Sequence, residues 1–368
     1  MRKVPRLAVV LAVGATVVAM VGVAGGTDPA EEVSAPAWSG PVWMDASKAP
    51  YKGYVRGWAL ISAQELKHQM DLERAWQTRI PLSDGTMPAT DPKLVVIDVG
   101  HPATQYRVDG HIPGAINIWR PDYESTEKHW DVRGEDLMNR KDFERFLRSL
   151  GIHNDSMVVW YDHKYDATRL WWACKLYGFD TRVLDGGIKA WKDAGYEIDR
   201  IASASRPGNG TIVLAEWGHP YLKVGRDSVW KCKDNPRWVL WDIRSKAEWD
   251  GSRKRVRRPG HIPWQKGAWY SWKDVHRPDN TFLDSAELEA YTDRIGMQPT
   301  DHNVFYCQSG VRVTQPLFAL FLQGWPLEHL HIFDSSFIGW ANSPDLPVVD
   351  GEGKPVVSED AREVEIKD

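Results

Sequence analysis

Apolar and polar residues fall along this chain in two recurring textures. Short continuous apolar runs that end on an acid, Leu94-Val95-Val96-Ile97-Asp98 and Trp238-Val239-Leu240-Trp241-Asp242, predict parallel strands buried on both faces. Residues 157–161, 181–184 and 304–306 read the same way. Between them lie helical segments. Ser62-Ala63-Gln64-Glu65 is a capping box that opens a helix through about Trp76, and residues 140–150, 169–177, 187–194 and 313–320 supply others. Strands alternating with helices predict an α/β chain with mainly parallel sheets flanked by helices.

The whole pattern occurs twice. Asp98 at its strand end is matched by Asp242, and Gly110-His111-Ile112-Pro113 by Gly260-His261-Ile262-Pro263. The strand before Asp162 is matched by the strand before Cys307, and Asp185…Trp191 by Asp334…Trp340. Matched landmarks lie 144 to 150 residues apart, so one domain is encoded twice, at 56–200 and 216–350. Residues 201–215 read as the linker between copies and 351–368 as a tail. His111 and His261 occupy the same turn in each copy and read as structural, each holding its turn by a hydrogen bond.

The N-terminus changes the compartment. Arg2, Lys3 and Arg6 precede an apolar run from Leu7 to about Ala24, with Gly25 and Gly26 at its exit. This predicts a signal peptide or an uncleaved anchor over 1–26, a linker rich in Pro, Ala, Ser and Gly at 27–55, and an exported, periplasmic or extracytoplasmic location. A formal net charge of −4 offers no surface for nucleic acid. Three cysteines leave at least one free thiol in an exported chain. Cys174 falls in an apolar helix as packing, and its pairing with Cys232 stays open. No clustered His/Cys spacing marks a metal site, and no cofactor is expected.

The remaining cysteine carries the chemistry. In Val304-Phe305-Tyr306-Cys307-Gln308-Ser309-Gly310-Val311-Arg312, a strand stops at a thiol and turns at once into a helix. Backbone N–H groups of such a loop form an anion nest at the helix N-terminus. A thiolate there is stabilised by the nest, the helix dipole and Arg312. Four residues separate Cys307 from Arg312. Cysteine phosphatases carry five, and the smaller ring suits a persulfide sulfur better than a phosphoryl group.

This loop resembles that of the rhodanese sulfurtransferases, Cys-x-x-Gly-x-Thr or Cys-x-x-Gly-x-Arg. The acid-ended strands, the Gly-His-Ile-Pro turns and the two Asp…Trp turns extend the resemblance over residues 55–350, to the tandem members and to exported bacterial multi-rhodanese-domain proteins. The resemblance implies two rhodanese-like domains. It also implies transfer of a sulfane sulfur from a donor such as thiosulfate or 3-mercaptopyruvate, through a Cys307 persulfide, to cyanide, a thiol or a protein acceptor. Cys307 and Arg312 are then the catalytic pair, with Gln308, Ser309, Gly310 and Val311 cradling the sulfur. Asp162 stands where Cys307 stands in the other copy, so the first copy cannot hold a persulfide. Arg169 before Trp171-Trp172 matches an arginine that tandem members extend to the donor anion from the non-catalytic half. Arg244 either adds to the positive field or pairs with Asp242 or Glu248. The run Arg253-Lys254-Arg255-Val256-Arg257-Arg258 lies in an insertion that the first copy lacks; it reads as a solvated loop or as a basic rim that gathers an anionic donor. The rival classes are a non-catalytic sulfur-binding or redox-sensing module and, less favoured by the spacing, a cysteine phosphatase or arsenate reductase.

Overall fold

The computed structural model describes residues 51–125, 137–201, 206–216, 218–265 and 271–357. The expected leader, residues 27–50 of the expected linker and the end of the tail lie outside them. Among the described residues no helix is long and apolar enough to cross a membrane.

The first half runs β1 (Leu60–Ile61), α1 (Ala63–Thr78), β2 (Leu94–Val99), β3 (Ile116–Ile118), α2 (Arg140–Ser149), β4 (Met157–Asp162), α3 (Ala167–Leu176), β5 (Arg182–Leu184) and α4 (Gly187–Asp193). Its strands form one all-parallel sheet in the order β1-β5-β4-β2-β3. The second half runs β6 (Lys223–Val224), α5 (Arg226–Asp234), β7 (Trp238–Asp242), α6 (Lys246–Trp249), α7 (Ser285–Ile295), β8 (His302–Tyr306), α8 (Thr314–Leu322), β9 (Leu330–Phe333) and α9 (Ser336–Ala341). Its sheet, β6-β9-β8-β7, is again all parallel. The α/β architecture with helix-flanked parallel sheets is as the sequence predicts. Ser62 caps α1 by accepting the Glu65 N–H at 3.1 Å, which satisfies one of the free donors of the first turn.

The repeated motifs have repeated jobs. Asp98 stands opposite Tyr161 in the β2–β4 register, and Asp242 opposite Tyr306 in β7–β8. Each tyrosine hydroxyl then accepts the isoleucine N–H of its Gly-His-Ile-Pro turn, Ile112 at 3.0 Å and Ile262 at 3.4 Å. His111 Nδ1 lies 3.0 Å from the Tyr106 carbonyl with its ring stacked on Tyr106, and His261 Nδ1 lies 3.0 Å from the Trp249 carbonyl with its ring stacked on Trp249.

Every residue of α3 and of α8 is buried. A helix buried on all sides needs neighbours on all sides, and each of these meets the other half. Thr168 and Thr314 hydroxyls touch at 2.7 Å, and Trp171 packs against Phe318 and Phe321. One hydrophobic cluster therefore runs through both sheets. The contacts around this pair are reciprocal. Arg169 on α3 donates to the Gly310 carbonyl at 3.2 Å, and Gln315 on α8 donates to the Tyr165 carbonyl at 2.9 Å. The Asp334 carboxylate accepts the Leu137 N–H at 3.1 Å, and the Asp185 carboxylate accepts the Phe282 N–H at 2.8 Å.

Two stretches expected as linker are packed. Within 51–55, Tyr54 is fully buried with its hydroxyl on the Leu283 carbonyl, and Lys52 and Tyr51 both reach Asp185. In 206–216, Ile212 and Leu214 are buried, and the Ile212 N–H and carbonyl bond Ile152 and Arg148. The reason is the same in both: a few large apolar or aromatic side chains among small polar ones are enough to anchor extended backbone. All three cysteines are free and buried.

Asp185 gathers Lys52, Tyr51 and the Phe282 N–H in one buried carboxylate. Asp185→Ala leaves the part-buried Lys52 ammonium with the Phe282 carbonyl but no carboxylate, and the Phe282 N–H without its acceptor, and is expected to cost about 3 kcal/mol. Urea unfolding at neutral pH checks the cost, and limited proteolysis should show cleavage around residues 51–56 in the variant alone.

Candidate active site

Cys307 follows the last residue of β8 and is 1% exposed. Its backbone is clamped from the start of α9. The Cys307 N–H donates to Ser336 Oγ at 3.2 Å, the Cys307 carbonyl accepts the Phe337 N–H at 3.0 Å, and the Gln308 carbonyl accepts the Ile338 N–H at 3.0 Å. Ser336 adopts φ 49°, a left-handed conformation that costs a non-glycine residue about 1–3 kcal/mol and gathers at functional sites. The first copy has Gly187 in this place, where a Cβ would meet the Asp162 carbonyl at 2.4 Å. Sequence reasoning missed Ser336; the signal was Ser335-Ser336 standing against Gly186-Gly187.

Gly310 sits at φ +77°, and a Cβ there would come within 2.6 Å of the Asp334 carbonyl and 2.8 Å of its carboxylate. Only glycine lets the loop close this tightly. Val311 is buried, and its carbonyl accepts the Thr314 N–H at the start of α8. Ser309 is half-buried, and its hydroxyl bonds no described residue. Gln308 is buried with its Oε1 unpartnered.

Three arginines surround the loop, and each lies on a carboxylate. Arg312 makes a bidentate pair with Glu248 at 2.8 and 2.9 Å. Glu248 also takes Ser245 as the N3 residue of the α6 capping box, and Arg255 at 3.3 Å. Burial works against the Glu248 charge, but the Arg312 and Ser245 hydrogen bonds outweigh it and hold its pKa well below the ordinary carboxylate range. Arg312 is likewise opposed by burial and raised by its Glu248 hydrogen bonds and by the Coulombic pull of Cys307 and Glu248. Arg169 is fully buried between Asp334, the Gly310 carbonyl and the face of Trp172. It crosses to the other half as expected, and what it meets there is Asp334 and the loop backbone. Arg244 is 1% exposed, paired with Asp242 and the Gly260 carbonyl and covered by Phe337. Of the two acids offered for it, Asp242 holds it, while Glu248 belongs to Arg312. In the basic run, Arg258 is no rim residue: it is buried, donating to the carbonyls of Trp340, Ala341, Ser343 and Leu346. Arg253, Lys254, Arg255 and Arg257 are exposed.

The corresponding loop of the first half is filled by its own side chain. Asp162 Oδ2 accepts the Ala167 N–H at 2.7 Å, and Oδ1 accepts the Lys164 N–H at 3.1 Å. A carboxylate thus occupies the nest at the start of α3. Among the described residues no group of three or more His, Cys, Asp or Glu could hold a metal ion.

A rhodanese-like domain model matches residues 87–194 and 226–343, more than half of the chain. The chain belongs to the rhodanese-like family. This rhodanese is 29% identical over 283 residues to the sulfur carrier protein TtuD of Thermus thermophilus, covering 71% of this chain and 93% of that one. It is 30% identical over 272 residues to a putative thiosulfate sulfurtransferase of Haloferax volcanii, covering 70% and 89%. In fold it is similar to the anaerobic ergothioneine biosynthesis enzyme of Chlorobium limicola, with a TM-score of 0.64 at 23% identity over 81% of this chain and 71% of that one. It is a sulfurtransferase of the rhodanese type.

The Arg312–Glu248 pair sets an acid limit on the fold. Glu248 has a folded pKa below its ordinary value of 4.5, so its stabilisation is complete above that pH and is lost as pH falls toward the folded value. In Arg312→Met the partner is gone while burial remains, so the loss should begin at higher pH. Urea midpoints between pH 7 and 3 test this; identical acid limbs in wild type and variant would refute it.

Proposed function

We propose that this rhodanese moves a sulfane sulfur from a donor such as thiosulfate or 3-mercaptopyruvate to a thiophilic acceptor through a persulfide on Cys307. The observation that carries the reading is the placement of Cys307: a thiol at a strand end, its backbone clamped by α9, in a short loop closed by Gly310, within Coulombic reach of Arg312. In the first step the Cys307 thiolate attacks the outer sulfur of the donor. A new S–S bond forms as the donor's bond to that sulfur breaks: the S–S bond of thiosulfate, releasing sulfite, or the C–S bond of 3-mercaptopyruvate, whose enolate takes the thiol proton and leaves as pyruvate. The loop N–H groups hold the terminal sulfur. An acceptor thiolate or cyanide then attacks it and regenerates the Cys307 thiolate. Gln308, Ser309, Gly310 and Val311 form the cradle, Arg312 balances its charge, and Arg169 sets the position of the Gly310 peptide from the other half. Arg244 supports the wall beneath through Asp242.

The first half, with Asp162 in its nest, serves as a docking partner and not as a second catalyst. A relative named as a sulfur carrier and another named as a putative thiosulfate sulfurtransferase support both halves of the cycle, loading and delivery. The basic N-terminal segment with its apolar run supports export to an extracytoplasmic location, with or without retention of the segment as an anchor.

Intact mass of the purified protein after brief exposure to thiosulfate, and separately to 3-mercaptopyruvate, tests the cycle. The expected result is a gain of about 32 mass units, one sulfur, removable by cyanide and absent in Cys307→Ser. No gain with either donor would overturn transfer from those donors, and a gain that survives in Cys307→Ser would move the carrier elsewhere.

A further inference from the structure

Gln308 stands next to the proposed nucleophile and is 4% exposed, yet its side-chain amide bonds no described residue and its Oε1 is buried without a partner. Buried polar atoms in folded proteins are almost always paired, and this orphan lies beside the nucleophile, where a bound ligand can complete it. The neighbouring Ser309 hydroxyl is also without a described partner. The charges around them are, by contrast, already matched. Arg312 lies on Glu248, Arg169 on Asp334 and Arg244 on Asp242, and Lys223 and Arg255 add a second cation to two of those carboxylates. A site built for an inorganic dianion would present unmatched cations. This one presents compensated ion pairs and, beside the donors of the loop backbone and the Ser309 hydroxyl, an amide whose buried oxygen can only accept. Thiosulfate has oxygens that accept and no N–H or O–H to give, so it leaves Gln308 Oε1 as it found it.

Resting on the reading of Cys307 as the sulfur carrier, we propose that Gln308 selects an organic persulfide, or the matching thiol, that bears an N–H beside its sulfur, as a cysteinyl peptide does. The peptide N–H donates to Gln308 Oε1 while the outer sulfur meets Cys307. The transfer needs no oxidant. The Cys307 thiolate attacks the outer sulfur of R–S–SH, one S–S bond forms as the other breaks, and R–S⁻ leaves and takes the proton, giving the Cys307 persulfide anion and R–SH. The reverse reaction delivers sulfur to the same class of thiol. Gln308 is thereby a specificity residue that touches substrate, and it discriminates because a site with a buried unpaired group rejects ligands that cannot complete it.

Three probes separate this from charge alone: glutathione persulfide, which carries the peptide N–H; the persulfide of 3-mercaptopropionate, which carries a carboxylate and no N–H; and thiosulfate. In the full-length protein, kcat/KM for glutathione persulfide should exceed that for 3-mercaptopropionate persulfide by roughly tenfold, the worth of one buried hydrogen bond. Gln308→Met, close in size but without the acceptor, should bring the ratio near one. Gln308→Glu, which keeps acceptor oxygens and loses the N–H₂, should keep the ratio. Equal kcat/KM for the two organic persulfides in wild type, or an unchanged ratio in Gln308→Met, overturns the proposal and leaves the Cys307 cycle standing. If no probe loads sulfur on Cys307 in wild type, the cycle itself falls and the selection with it. Intact mass of Gln308→Met after 3-mercaptopropionate persulfide shows whether its loop still loads, so a collapsed loop is not mistaken for lost selection.

Discussion

Asp334 is a carboxylate at a strand end with almost no access to water, and a charge in that position is tolerated only if it is paired and hydrogen-bonded. Its partners come from both halves: Arg169 and the Leu137 N–H from the first, Lys223 from the second. Burial alone would push its pKa up; the charges of Arg169 and Lys223, with the Arg169 and Leu137 hydrogen bonds, bring it below the ordinary value. Because the same Arg169 nitrogen donates to the Gly310 carbonyl, the shape of the Cys307 loop depends on the halves being docked. A separated second half would keep its cysteine and the α9 clamp and lose the group that holds the Gly310 peptide.

That dependence explains why a half without a nucleophile keeps its form. Asp162 removes sulfur chemistry from the first copy, but its carboxylate satisfies the Lys164 and Ala167 N–H groups at the start of α3. It thereby stabilises the helix that carries Arg169 and the Thr168 and Trp171 contacts to α8. The reciprocal contact, Gln315 on the Tyr165 carbonyl, secures the first loop with an uncharged side chain. The arginine is kept only where it faces the thiol loop, and the pseudo-symmetry is broken at the residues that bear on Cys307: Asp162 against Cys307, Gly187 against Ser336, Gln315 against Arg169.

Features governed by local chemistry were legible in the sequence. The acid-ended strands, the Ser62 cap, the Gly-His-Ile-Pro turns and the strand–cysteine–helix junction each follow from a few consecutive residues, and the duplication made each visible twice. What stayed hidden depends on long-range partnering. Glu248 lies 64 positions from Arg312, and nothing in a capping box says that its carboxylate will also receive an arginine. Arg258 sits in a run of six positions with five cations, and only the fold shows that it alone turns inward. The apolar stretch around Cys174 in α3 pointed to packing, but not to α8 as the neighbour it packs on. Tyr51, Lys52 and Tyr54 were obscured by the linker-like composition before them.

The matched charges around Cys307 also bear on how an anion can form there. Arg312 stands between two anions in the proposed cycle, the Glu248 carboxylate and the sulfur. If Glu248 depended on Arg312 alone, a thiolate or persulfide would have to compete for it in a buried setting, where an unshared charge is costly. It does not depend on Arg312 alone: Ser245 donates to it from both backbone and hydroxyl, and Arg255 approaches from the exposed loop. Glu248 therefore remains satisfied while part of the Arg312 field is drawn toward Cys307. The insertion that carries Arg255 is absent from the first copy, so in the proposed cycle this support for a second negative charge beside Arg312 belongs to the Cys307 half alone.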